Sequence, residues 1–176
     1  MRDKYDVIVA GGGPAGSMAA LTAAGKGLSV LLVERDPSIG SPVRCAEAVD
    51  EKGLRDFFEP SPEWIATEIT SYCLVAPDGI RVVMNTQGNN GFILERLIFD
   101  RMVAEKAAEA GAEVITGVEA TGVSGFECGF RAVRLGNHNW RREIRARVVI
   151  AADGVESRVA RWAGLRTHAN AHDMET

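Results

Sequence analysis

The run Gly11-Gly12-Gly13-Pro14-Ala15-Gly16 contains the spacing Gly-x-Gly-x-x-Gly, and its flanks decide what that spacing can do. Before it, residues 5–10 are apolar and rich in β-branched side chains, the pattern of a buried parallel strand. After it, residues 14–26 are helical in composition, and residues 28–33 (LSVLLV) read as a second buried strand. Strand, glycine turn, helix and strand make a βαβ unit with a right-handed crossover. In that setting Gly11 allows the tight turn, Gly13 lets the backbone approach a pyrophosphate, and Gly16 lets the helix pack on the strand. The free N–H groups and partial positive charge of the helix start, where Ala15 lies, favour phosphate. Glu34 ends the second strand roughly twenty residues on, where a carboxylate accepts hydrogen bonds from an adenosine ribose. A carboxylate there also repels a 2′-phosphate, so the pattern favours FAD or NAD over NADP.

Two further stretches carry groups that could do chemistry. VVIAADGVESRVARWAGL repeats the order strand, turn, helix, with Asp153-Gly154 at the turn. Asp153 is placed either to accept hydrogen bonds from a cofactor or to cap the helix that follows. GSPVRCAEA, residues 40–48, sets Arg44 beside Cys45 in a Gly/Pro-rich loop, where the guanidinium favours the thiolate. Cys73 and Cys128 lie in strand-like runs and are expected to be small core residues. Three cysteines without a Cys-x-x-Cys pair suit a reducing, cytoplasmic compartment better than a disulfide framework.

The elements that must position these groups follow from periodicity and turn chemistry. A short helix is expected at residues 50–58, stopped by PSPEW. Strands are expected at 68–75 and 80–84, joined by the turn PDG. Residues 95–110 read as a helix with Ile98, Phe99, Met102, Val103, Ala107 and Ala110 on one face, and Gly111 as its stop. Val114-Ile115 is a short strand. An antiparallel meander occupies about 118–146, in which Ile144, Ala146 and Val148 form a dry face and Glu143, Arg145 and Arg147 a wet one. Residues 147–163 then supply another buried strand and a helix from 156. The expected fold class is α/β: a Rossmann-like βαβ sheet, residues 4–34 at its start, with an inserted antiparallel β-meander, forming a partial domain.

Composition removes several classes of function. At 176 residues the chain can bury a core without staples. Its net charge of −4 argues against a dedicated nucleic-acid binder, and the arginines at 131, 134, 141, 142, 145 and 147 read as the wet face of a ribbon. Residues 7–25 contain no charge and approach a membrane-spanning length, but the triple glycine and the Ala/Gly content make an insertion-competent helix a poor reading. His168 and His172 fall in a polar tail, and no metal site is expected there.

Together, the glycine turn, Glu34, ADGVESRVAR, ERDPSIGSPVRCAEAV and GFILERLIFDRMVAEKAAEAGAEV resemble the N-terminal part of the geranylgeranyl reductases. These include the digeranylgeranylglycerophospholipid reductases of archaeal-type lipid biosynthesis, within the superfamily of FAD-dependent hydroxylases. The resemblance implies FAD as cofactor. It also implies cofactor contacts at Arg35, Arg44, Cys45, Ala46, Ala48, Arg96, Ala120, Asp153 and Gly154, in addition to the glycine turn and Glu34. Cys45 is the one candidate for a catalytic side chain. The family usually carries Gly where Ala46 and Ala48 stand. The implied activity is an oxidoreductase saturating isoprenoid double bonds of a prenyl-lipid substrate. Its electron donor is NAD(P)H or ferredoxin. Its substrate domain, and any peripheral membrane contact, lie outside the chain, and a homodimer would cover apolar surface left bare. A flavin monooxygenase or halogenase of the same fold, and a non-catalytic nucleotide-binding module, remain the alternatives.

Overall fold

The computed structural model describes all residues except Arg44, Gln87, Asn89 and 168–176, so the expectations for Arg44, His168 and His172 lie outside the described residues. The chain divides into two compact units, residues 1–41 with 100–176, and residues 42–99.

The first unit is built on β1 (Lys4–Ala10), α1 (Pro14–Gly25) and β2 (Val30–Val33). β2 is buried along its whole length, as a central parallel strand must be. It starts two residues later than expected: Leu28 is exposed, and Ser29 exchanges hydrogen bonds with Asp6 instead. α1 turns Gly16, Ser17, Ala20 and Ala24 inward, and these small side chains let it lie close against the strands. The charge-free stretch at residues 7–25 is therefore strand, turn and helix.

Residues 100–109 belong to α3 (Arg96–Glu109), and β8 (Glu113–Ile115) follows it. Gly111, at φ +105°, ends α3, and the Ala112 N–H reaches back to the Ala107 carbonyl. The buried positions of α3 are Phe99, Asp100, Val103, Ala104 and Ala107, whereas Ile98 is exposed. The inward stripe is thus rotated from the expected one.

β9 (Glu119–Glu127), β10 (Phe130–Gly136) and β11 (Arg141–Ala151) form the meander. The sheet order is β8-β2-β1-β11-β10-β9. β11 corrects the sequence reading, which divided it into a meander strand and a separate buried strand. It is one continuous strand, antiparallel to β10 over 141–146 and parallel to β1 over 145–151. Val148, expected on the dry face, is 51% exposed, while Ile144 and Ala146 are fully buried. A strand that changes its partner along its length does not keep one environment on each face. Cys128 also departs from expectation: it is exposed at φ +50° in the β9–β10 turn. α4 is short, Val159–Trp162, where a helix from residue 156 was expected, because residues 154–158 are spent in the preceding turn.

One sheet face carries Val7, Val9, Val30 and Leu32 against Ala20, Ala24 and Ala107 from the helices. The other core joins Ile8, Leu31, Val33, Val133, Leu135, Ile144 and Val159. Among the described residues, no helix is long and apolar enough to cross a membrane.

The second unit holds a three-stranded antiparallel sheet in the order β3-β7-β4, from β3 (Ala48–Asp50), β4 (Ile65–Ile69) and β7 (Gly91–Leu94). β3 and β7 are too short to show a period in sequence. α2 (Glu51–Arg55) is capped by Asp50, whose carboxylate accepts the Gly53 N–H at 2.7 Å. The strand expected at 68–75 is two strands in different sheets, because Thr70 leaves the ladder and its carbonyl accepts both the N–H and the hydroxyl of Thr86. β5 (Ser71–Val75) pairs only with β6 (Arg81–Asn85) among the described residues. Every residue of β5 is exposed, Cys73 included, so this cysteine is not a core residue. Phe99 packs edge-on to Phe58 and against Trp64, at ring-centre distances of 5.6 and 5.1 Å.

Candidate cofactor site

Three loops leave the carboxyl ends of three adjacent parallel strands. The glycine turn follows β1, Glu34 follows β2, and Asp153 follows β11. β1 connects to β2 on one side and lies beside β11 on the other, so the connections diverge at this end of the sheet, where open α/β sheets hold ligands. The three loops are tied together through the backbone. The Gly11 N–H donates to Val33 O and the Ala152 N–H to Ala10 O, both at 2.8 Å.

Sterics decide which glycines are required. A Cβ on Gly11 would lie 2.2 Å from Ala152 O, and one on Gly16 would lie 1.8 Å from Gly11 O. Gly12 was only an unspecified position in the motif, yet a Cβ there would meet Glu34 Cβ at 3.0 Å and Ile39 Cγ1 at 3.1 Å. The run of three glycines was its only signal in sequence. Gly13 differs: a Cβ would meet nothing within 4 Å, so the turn is open at that point. Gly13 is also the N-cap of α1, and no side chain caps it. An open mouth at an uncapped helix start, beside a carboxylate, fits the pyrophosphate and ribose of a dinucleotide.

Glu34 is held on both oxygens. Its Oε2 accepts the Gly12 N–H at 2.6 Å and its Oε1 the Asp36 N–H at 2.8 Å. A carboxylate has about four acceptor positions, so capacity for hydroxyl donors remains. Its neighbour Arg35 is half-exposed and pairs with Asp36 at 3.7 Å. Val118 donates its N–H to Glu34 O, which brings the approach to Ala120 alongside, and Ala120 itself is buried at the start of β9.

Asp153 caps α4. Its Oδ1 accepts the Ser157 hydroxyl at 2.5 Å, and its Oδ2 accepts the N–H groups of Arg158 and Val159 at 2.7 and 2.9 Å. Burial pushes this carboxyl up, but the Ser157 hydroxyl and the backbone donors outweigh it, so its pKa lies below the ordinary aspartate value. Gly154, at φ +85°, lets the chain turn there.

The structure therefore brings Gly11, Gly13, Ala15, Gly16, Glu34, Arg35, Ala120, Asp153 and Gly154 into one unit. Cys45, Ala46, Ala48 and Arg96 belong to the other. Cys45 is exposed, and its sulfur accepts the Glu47 N–H at 3.4 Å across a turn that holds Glu47 at φ +67°. Ser17 was not among the sequence candidates. It is fully buried, its hydroxyl donates to Gly12 O at 3.0 Å, and a serine in an Ala/Gly helix gives no sign of that role in sequence.

A glycine turn at the head of a βαβ unit and an acidic end to the second strand define a dinucleotide-binding fold. The chain belongs to the FAD-binding domain family, whose model matches residues 4–176, and its cofactor is FAD. Along its whole length it is 50% identical to a digeranylgeranylglycerophospholipid reductase of Methanocella arvoryzae and 48% identical to one of Methanosarcina mazei, covering 46% and 44% of those proteins. The chain thus spans a little under half the length of the curated relatives it matches. Among solved structures, a geranylgeranyl bacteriochlorophyll reductase-like protein of Thermoplasma acidophilum superposes with a TM-score of 0.86 at 38% identity, over 96% of this chain and 44% of that one. A myxobacterial chondrochloren halogenase shares the fold, with a TM-score of 0.72 at 23% identity, over 91% of this chain and 39% of that one. The resemblance to geranylgeranyl reductases read from the sequence is borne out.

Proposed function

We propose that residues 1–176 are the FAD-binding part of a reductase that saturates geranylgeranyl double bonds of a membrane lipid, with the substrate domain lying outside this chain. The observation that carries the FAD site is the meeting of the open Gly13 turn, the Glu34 carboxylate and the Asp153 turn at the ends of β1, β2 and β11. The whole-chain likeness to lipid reductases carries the reaction class.

Each residue then has a task. The N–H groups of Gly13, Ala15 and Gly16 hold the pyrophosphate, and Glu34 accepts the ribose hydroxyls. Arg35 and the backbone at Ala120 flank the adenine. Asp153 shapes the turn, and Gly154 brings backbone close to the cofactor's middle. Arg44, Cys45, Ala46, Ala48 and Arg96 take the contacts that the family resemblance implies, with Cys45 nearest the chemistry. Bound and reduced, FAD would supply hydride to one carbon of the double bond while a proton is added to the other, and the protein would orient and shield the flavin. The electron donor is NAD(P)H or ferredoxin, and contact with the lipid is peripheral to the membrane.

FAD titration of the purified protein tests the cofactor assignment. A hydrogen bond to a charged group contributes about 1.5–3 kcal/mol, so Glu34→Ala weakens FAD binding by about tenfold to a hundredfold. Unchanged affinity would remove Glu34 from the site. Mass spectrometry of a geranylgeranylated glycerophospholipid, incubated with the full-length parent and reductant, tests the reaction. A gain of one hydrogen pair per double bond is expected, and a hydroxylated product would instead establish a monooxygenase.

A further inference from the structure

A glycine turn has little to hold its peptide planes. Two consecutive planes of this one are nevertheless pinned. The Gly11–Gly12 peptide is held through its N–H, which Glu34 Oε2 accepts at 2.6 Å. The Gly12–Gly13 peptide is held through its carbonyl, which accepts the Ser17 hydroxyl at 3.0 Å. Ser17 is buried to 0% exposure and is one of two buried polar or charged residues among the described residues, the other being Asp100 on α3. Its own N–H continues the helix ladder to Gly13 O at 2.9 Å. The hydroxyl is therefore an addition to the helix, directed back past its first turn.

A trans peptide is planar, with its C=O and N–H pointing in opposite directions. Drawing Gly12 O inward onto buried Ser17 turns the Gly13 N–H of the same plane outward. The turn is uncrowded at this residue, since a Cβ on Gly13 would meet nothing within 4 Å. We propose that Ser17 is a positioning residue for the cofactor's pyrophosphate, locking the Gly12–Gly13 peptide with its N–H aimed at the phosphate. The proposal rests on the FAD site proposed above. Without the hydroxyl the plane can rotate between glycines at little steric cost, and the donor must be ordered each time a phosphate binds.

The experiment compares the protein with Ser17→Ala and Ser17→Cys. The second variant keeps volume in the buried site while offering only a weak donor. FAD and ADP are titrated by calorimetry and adenosine by NMR, with thermal melts of the ligand-free proteins alongside. One lost hydrogen bond corresponds to about threefold to tenfold weaker binding of FAD and ADP. Adenosine, which lacks the phosphates, binds as before. Unchanged ADP and FAD affinity in both variants would overturn the proposal. A fall in adenosine affinity matching that for ADP would also overturn it, because a general packing defect does not distinguish phosphate. If the unsubstituted protein binds neither FAD nor ADP, the FAD-site reading fails and this inference falls with it.

Discussion

LSVLLV and SYCLVA are both short, apolar and β-branched or aromatic, yet they meet opposite fates. In the first, β2 is buried at every position between β1 and β8. In the second, β5 is exposed at every position and pairs with β6 alone among the described residues. The difference lies in what surrounds each strand within its unit. β2 has a strand on either side and α1 and α3 residues over one face. The β5–β6 ribbon leaves Tyr72, Leu74, Val75, Val82 and Val83 exposed. An apolar run states that burial would stabilise it, not that a covering surface exists.

Substitutions at matched leucines give the largest test of that contrast. Leu31→Ala, at a fully buried site, is expected to cost about 2–5 kcal/mol in urea denaturation. Leu74→Ala, 55% exposed, should stay within about 0.5 kcal/mol. A comparable loss at Leu74 would show that the ribbon is covered in solution, and a concentration dependence of that loss would identify a second copy as the cover.

Asp153 carries the next effect. Asp153→Asn keeps an acceptor for the Arg158 and Val159 N–H groups but removes the charge, so at neutral pH it should cost about 1–1.5 kcal/mol, the difference between hydrogen bonds to a charged and to a neutral acceptor. Its folded pKa lies below the unfolded value, so the carboxylate's stabilisation is present above the unfolded pKa and is lost as pH falls through the folded one. The gap between protein and variant should therefore close on acidification below about pH 4. A gap that persists undiminished below both pKa values would show that the charge is not what stabilises the turn.

Gly13→Ala sharpens the comparison from the smallest side. With open space at Cβ and a φ of −69°, the variant should melt within about 0.5 kcal/mol of the parent while losing FAD affinity, since the methyl stands where the phosphates approach. Gly16→Ala, crowded against Gly11 O, should destabilise the turn itself. Equal melting of the two variants would undo the distinction between a glycine needed for the fold and one needed for the ligand.

Much of the candidate site was legible because its parts are local. The glycine turn, Glu34 and the Asp153 turn each follow a strand whose apolar run is visible in a window of a few residues, and the βαβ order brings the first two together. Gly12 and Ser17 were not legible. Their roles depend on Glu34 and on a carbonyl five residues back, and no composition signal marks such contacts. Cys73 and Cys128 were misread as core for the related reason that a strand-like window does not report exposure.

The sequence by itself determined the class of fold, the βαβ start, the α3 helix with its glycine stop, and the family likeness, all set by neighbours within a turn or a strand. Only the tertiary structure decided that residues 141–151 are one strand, that residues 68–75 are divided between two sheets, and that residues 42–99 form a unit of their own. The physical reason is the range of the interactions. β11 is continuous because its Arg145 N–H finds Asp3 O from across the chain while Val133 and Leu135 still pair with its first half. Partners so distant in sequence leave no period in the segment they shape.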